Sequence, residues 1–139
     1  MIPATDLLCF AGVLLFLIGL LTGFAIPVCS SPRLGLSAHL TAVQSGAFLL
    51  GLGLLWPRLA MAPMWSSVLA NTTWVGLYMI WLALLLAAIF GAGRGLPIAG
   101  GGITTTAARQ TAVTALMAIG SLAIVAAVSG LLVTWRWHG

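Results

Sequence analysis

The chain has 139 residues, of which 62% are hydrophobic and 4% charged, with no lysine or glutamate and a formal net charge of +4. A mean hydropathy of +1.22 excludes a soluble globular domain. The basic residues Arg33, Arg58, Arg94, Arg109 and Arg136 are scattered over loops and ends, so they read as topology signals and headgroup contacts, not as a nucleic-acid surface.

Four apolar runs are long enough to cross a bilayer, at about 5–28, 38–56, 65–90 and 108–135. Lipid leaves exposed backbone unsatisfied, and runs of this length exceed a barrel strand, so each is expected to be a helix. The expected architecture is an all-α membrane protein, a four-transmembrane-helix bundle forming one domain over 1–139. The lone acid Asp6, with no basic residue before the first run, argues for a retained first helix and not a cleaved signal.

The first run carries Gly12, Gly19 and Gly23, a smooth side against which another backbone can pack. Pro27 and the Ser30–Ser31–Pro32 segment are expected to end it. Cys9 and Cys29 are twenty residues apart, roughly 30 Å on one helix, so they cannot pair with each other.

The second run is expected to start after Ser37 as N-cap, which puts His39 one turn inside the helix. An imidazole with no carboxylate near it either snorkels to the headgroups or binds something. At 100° per residue Val43, Gly46 and Leu50 share its face, while Thr41, Gln44, Ser45 and Phe48 share another. A buried Gln44 needs partners, so this second face is expected against another helix or another subunit.

In the third run Asn71, Trp74, Tyr78 and Trp81 recur at helical spacing. Tyr78 is too central for an interfacial aromatic belt, and its hydroxyl needs a partner, structural or functional. The loop Gly91–Thr106 is glycine-rich but lacks the lysine and preceding strand of a phosphate loop, so it reads as a lid or linker. The fourth run carries no chemical group beyond Arg109 at its start and Trp135, Arg136 and Trp137 at its end. Arg33, Arg94 and Arg109 outnumber Arg58 and Arg136, which favours their loops as cytoplasmic.

One acid excludes a carboxylate pair, a two-metal site and an intramembrane acidic proton relay. Two histidines and two cysteines far apart in sequence cannot build a four-ligand zinc site in one chain. A haem needs only one protein ligand, which His39 could supply.

The segments SPRLGLSAHL (31–40), GLGLLWPRL (51–59), GLYMIWLALLLAAIFGAGRG (76–95) and LPIAGGG (96–102) resemble, in order, the hydroxylaminobenzene mutase family. That family is in turn similar to styrene oxide isomerase, a four-span haem protein working as a trimer. The resemblance implies an inner-membrane isomerase that converts an arylhydroxylamine to an ortho-aminophenol, with aryl epoxide isomerisation or a non-catalytic subunit as alternatives. It implies ferric haem b as cofactor, a homotrimer, a small aromatic substrate and the lipid bilayer as surroundings. His39 falls at the axial-ligand position and Tyr78 at that of the substrate-facing tyrosine, a hydrogen-bond donor or general acid to the departing oxygen. Ser45 and Asn71 complete the candidate catalytic set, with Thr41, Gln44, Trp74 and Trp81 around the substrate. Trp74 or Trp81 would stabilise an aryl cation. Ser45 and Ile80 stand where those families tend to have asparagine. Counted from Arg33 and Arg94, His39 and Tyr78 differ in depth by roughly 15 Å. That mismatch is awkward for a single site unless the third helix extends beyond the bilayer, whereas the His39 face and the Gln44/Ser45 face of the second helix could serve two neighbouring pockets and so put the site between protomers.

Overall fold

A computed structural model describes residues 3–59, 61–93 and 105–134. Arg94, most of the glycine-rich loop and the segment from Trp135 through His138 lie outside the described residues. Four helices are long and apolar enough to cross a membrane, as the hydropathy predicts. They are α1 (Ala4–Ala25), α2 (Pro32–Leu55), α3 (Pro63–Phe90) and α4 (Ala107–Thr134), with single 3₁₀ turns at Ile26–Val28 and Trp56–Arg58.

The start of α2 differs from the expectation by more than a turn. Ser31, not Ser37, is the N-cap, its side chain accepting from the Leu34 N–H, and Pro32 occupies the first turn. Proline lacks the N–H that a first turn cannot satisfy anyway, so Pro32 opens α2 where the sequence reading had it closing α1. Ser37 is instead interior, donating to the Arg33 carbonyl at 3.1 Å. His39 is therefore two turns inside the helix.

The α1–α2 seam is a backbone contact. A methyl group on Gly46 would fall 2.6 Å from the Phe16 nitrogen, and one on Gly12 would fall 2.7 Å from the Leu50 nitrogen. Only glycine permits this approach, and the glycine side of α1 is the packing face its spacing suggested. Beneath it Leu8, Leu15, Leu49, Leu52, Trp56, Leu69 and Leu77 form the core.

α2 and α3 are antiparallel and tied at both ends. Near one membrane surface the Ser31 N–H donates to the Ala88 carbonyl at 3.1 Å, and the Ser30 hydroxyl donates to the Ile89 carbonyl at 2.7 Å. Near the other, the Trp56 indole donates to Ser66 Oγ at 2.9 Å. α3 ends at Gly91, whose φ of 65° is left-handed, a conformation that costs any other residue more.

The arrangement is not a closed four-helix bundle. Among the described residues α4 packs chiefly on α3, at a crossing where a methyl on Gly120 would lie 3.0 Å from the Gly76 carbonyl oxygen, and its Thr134 hydroxyl donates to Met61 Sδ at 3.3 Å just before α3. The candidate functional side chains all sit on the α1–α3 part.

Candidate functional site

His39 turns its ring from α2 into the groove that Gly19 and Gly23 leave on α1. Its Nδ1 lies 2.8 Å from the Gly19 carbonyl oxygen, and a methyl on Gly23 would fall 2.9 Å from the same nitrogen. A carbonyl only accepts, so Nδ1 carries a hydrogen and Nε2 is the nitrogen left to face a ligand. Nε2 has no hydrogen-bond partner among the described residues. Anchoring one nitrogen to a carbonyl so that the other is presented in a fixed tautomer is how ligating histidines are commonly held. His39 thus fits a single-ligand role. Among the described residues no three His, Cys, Asp or Glu side chains cluster, so a metal here needs a carrier that brings its other ligands.

Tyr78 anchors to the same helix elsewhere. Its hydroxyl donates to the Ala11 carbonyl at 2.8 Å. Trp74 and Trp81 flank its ring edge-on, at centroid distances of 5.6 and 6.4 Å. Beside it a cavity of about 230 Å³ opens between α1 and α3, lined by Leu7, Phe10, Ala11, Leu14, Trp74 and Tyr78. Of these six side chains only Trp74 and Tyr78 carry a polar atom. The Trp74 indole donates to Asn71 Oδ1 at 3.1 Å, leaving the Tyr78 oxygen, with its proton on Ala11, as the acceptor for a guest.

The remaining candidate residues do not gather around the cleft. Asn71 faces outward with its amide engaged at both ends, Nδ2 donating to the Ser67 carbonyl at 2.8 Å and Oδ1 accepting from Trp74. It positions Trp74. Trp81 is not among the cavity-lining residues, and its indole N–H is buried without a partner among the described residues. Ser45 is buried, whereas Gln44 and Phe48 face outward and Thr41 is half-buried. The face expected to join Thr41, Gln44, Ser45 and Phe48 is therefore split, with Ser45 buried in the helix packing and Gln44 left outside it. Gln44 is exposed within the chain, not buried. The other expected face holds: Val43, Gly46 and Leu50 lie with His39 against α1.

His39 and Tyr78 do not meet within one chain. The carbonyls they bind are eight residues apart on α1, about 12 Å along its axis. The end ties of α2 and α3 bring their Cα levels closer than the arginine count suggested. Side chains lean toward their own helix N-terminus, however, so on antiparallel helices the imidazole and the phenol diverge.

Sequence reasoning missed Leu7, Phe10, Ala11 and Leu14, which line the cleft, and the two carbonyls that fix His39 and Tyr78. Aliphatic residues on a lipid-spanning helix carry no signal of their own. The GLLTG spacing at Gly19–Gly23 read as a backbone-packing face, whereas at Gly23 it admits the His39 ring.

The profile of the family described as styrene oxide isomerase matches residues 4–136. The chain belongs to that family. Hydroxylaminobenzene mutase HabB of Ectopseudomonas oleovorans is 50% identical over 100 residues, covering 71% of this chain and 61% of that protein. Hydroxylaminobenzene mutase HabA of the same organism is 40% identical over 111 residues, covering 77% of this chain and 80% of that protein. The chain thus spans about three fifths of HabB and four fifths of HabA. No solved structure matches. Family membership and four apolar helices make this an integral membrane protein.

Proposed function

We propose that the chain is an inner-membrane mutase that rearranges an arylhydroxylamine such as hydroxylaminobenzene to an ortho-aminophenol, working as a homotrimer with ferric haem b. The observation that carries this reading is the apolar α1/α3 cleft, with room for one aromatic ring and a tyrosine oxygen in its wall. The kinship to two hydroxylaminobenzene mutases supports the choice of substrate.

The reaction is an isomerisation. The N–O bond breaks, a C–O bond forms at the ortho carbon, and the displaced ring proton is made up on nitrogen, so no co-reactant is consumed. Leu7, Phe10 and Leu14 hold the ring and keep water from the electron-poor aryl system formed when oxygen leaves. Trp74 presents an aromatic surface to that charge, and Asn71 fixes the indole. Tyr78 first accepts from the substrate N–H or O–H. Its proton then serves the departing oxygen when that atom replaces the Ala11 carbonyl as acceptor. Ser45 and Thr41 on α2 do not line this cleft, so in this reading they orient substrate only where a second copy completes the site.

His39 would hold the haem through Nε2, with Gly19 fixing the tautomer. The ferric iron would supply a Lewis acid for the departing oxygen. The separation of His39 and Tyr78 along α1 then requires that different copies contribute them to one site.

The test feeds hydroxylaminobenzene to membranes containing the chain. Accumulation of 2-aminophenol is expected. Conversion of aryl epoxides alone would favour the epoxide isomerase reading that the family profile supports, and conversion of neither would leave a non-catalytic membrane subunit.

A further inference from the structure

Gln44 is a carboxamide on the outside of a transmembrane helix. It is the thirteenth of the 24 residues of α2, so it lies about 18 Å from the helix start, near the middle of a hydrocarbon layer about 30 Å thick. It is exposed and makes no hydrogen bond to any described residue. Its side chain is too short to snorkel to either headgroup layer, and acyl chains offer it nothing. Two donors and an oxygen with two lone pairs are left in oil, a state that membrane proteins relieve by contact with a polar partner.

On α1 the exposed residues include Phe10, Val13, Leu17, Leu21 and Phe24, and on α4 Leu122, Val125, Leu132 and Val133, all suited to lipid. On α2 Leu40 and Phe48 are exposed above and below Gln44, while Ala47 is exposed and a methyl group on Gly51 would meet nothing within 4 Å. Small residues spaced by four let a second helix approach closely. The carboxamide defines what that second helix carries. A primary amide has both donor and acceptor, and an identical amide related by a rotation axis satisfies both at once.

We infer that the Gln44 face of α2 is where identical copies of this chain meet, with their carboxamides hydrogen-bonded about the symmetry axis. The proposal deepens the homotrimer reading, on which it rests only in requiring that copies associate; it involves neither haem nor substrate.

The test uses the full chain in bilayers, with Cys9 and Cys29 replaced by alanine and one new cysteine introduced. Gly51→Cys has open space for its side chain and should give a disulfide-linked dimer of the chain under mild oxidation, whereas Val125→Cys on the outer face of α4 should not. Gln44→Leu, similar in size, should weaken association about three- to tenfold per contact, while Gln44→Asn recovers part of it. A native mass of one chain would overturn both the trimer and this interface. A stable oligomer in which Gly51→Cys fails to cross-link, cross-links to another protein, or survives Gln44→Leu unchanged would overturn the interface alone.

Discussion

α1 meets its two neighbours in opposite ways. Against α2, Gly12, Gly19 and Gly46 bring backbones into contact and leave only the slot that His39 fills. Against α3 a single phenol reaches across to the Ala11 carbonyl, and the helices stand far enough apart to leave the cleft. A seam of glycines gives rigidity and no volume. A seam held by one long side chain gives volume, and that is where a ring-sized guest fits. One helix thus presents a fixed nitrogen on one side and an apolar chamber on the other.

The contrast breaks most completely at the crossing itself. Gly46→Leu would force side-chain atoms into the Phe16 backbone, and neither helix has a flexible group there to yield. A loss of at least about 2 kcal/mol is expected, seen as aggregation or a lowered melting temperature in detergent. Unchanged melting would mean that α1 and α2 are not in backbone contact.

His39→Ala should leave the seam standing, since the slot is filled by a side chain and not built by one. If the proposed haem is bound, the parent is expected to show a haem absorption band and the purified variant to lose it, along with at least about a hundredfold of turnover. A colourless but active parent would remove the haem and leave the slot a packing feature. Tyr78→Phe acts on the other seam. Loss of the hydroxyl should cost about 1 kcal/mol of stability and lower turnover about a hundredfold with KM little changed. A rise in KM alone would assign Tyr78 to binding instead of proton transfer.

The smallest effect is expected from Asn71→Leu, which frees the Trp74 indole without touching the cleft. A few-fold fall in turnover, reversed by Asn71→Gln if the longer amide still reaches the indole, would mark Asn71 as a positioning residue. No effect would leave it a lipid-side hydrogen bond only.

The spans were legible because bilayer thickness fixes helix length, and all four runs agree with the helices to within a few residues except where α2 starts. That exception arose from Pro32. The same ring that ends one helix can begin the next, and only the serine before it, capping Leu34, decides which. The helical wheel put His39 on the α1 face correctly but merged Ser45 with Gln44, because a wheel has no knowledge of how wide a neighbour's contact is. The α1 wall of the cleft had no sequence signature: Leu7, Phe10 and Leu14 look like any lipid-facing apolar residues until α3 is set beside them.

The bonds from Ser30 and Ser31 to the carbonyls of Ile89 and Ala88 join segments almost sixty residues apart. While the chain is being synthesised, the bend between the first two spans therefore has no acceptors for these donors until the third span has been threaded through the bilayer. The turn at one surface is completed by the exit of a later helix. The hairpin of the first half is thus latched by the second, and a ribosome must deliver the whole of α3 before the bend that bears the histidine helix can set.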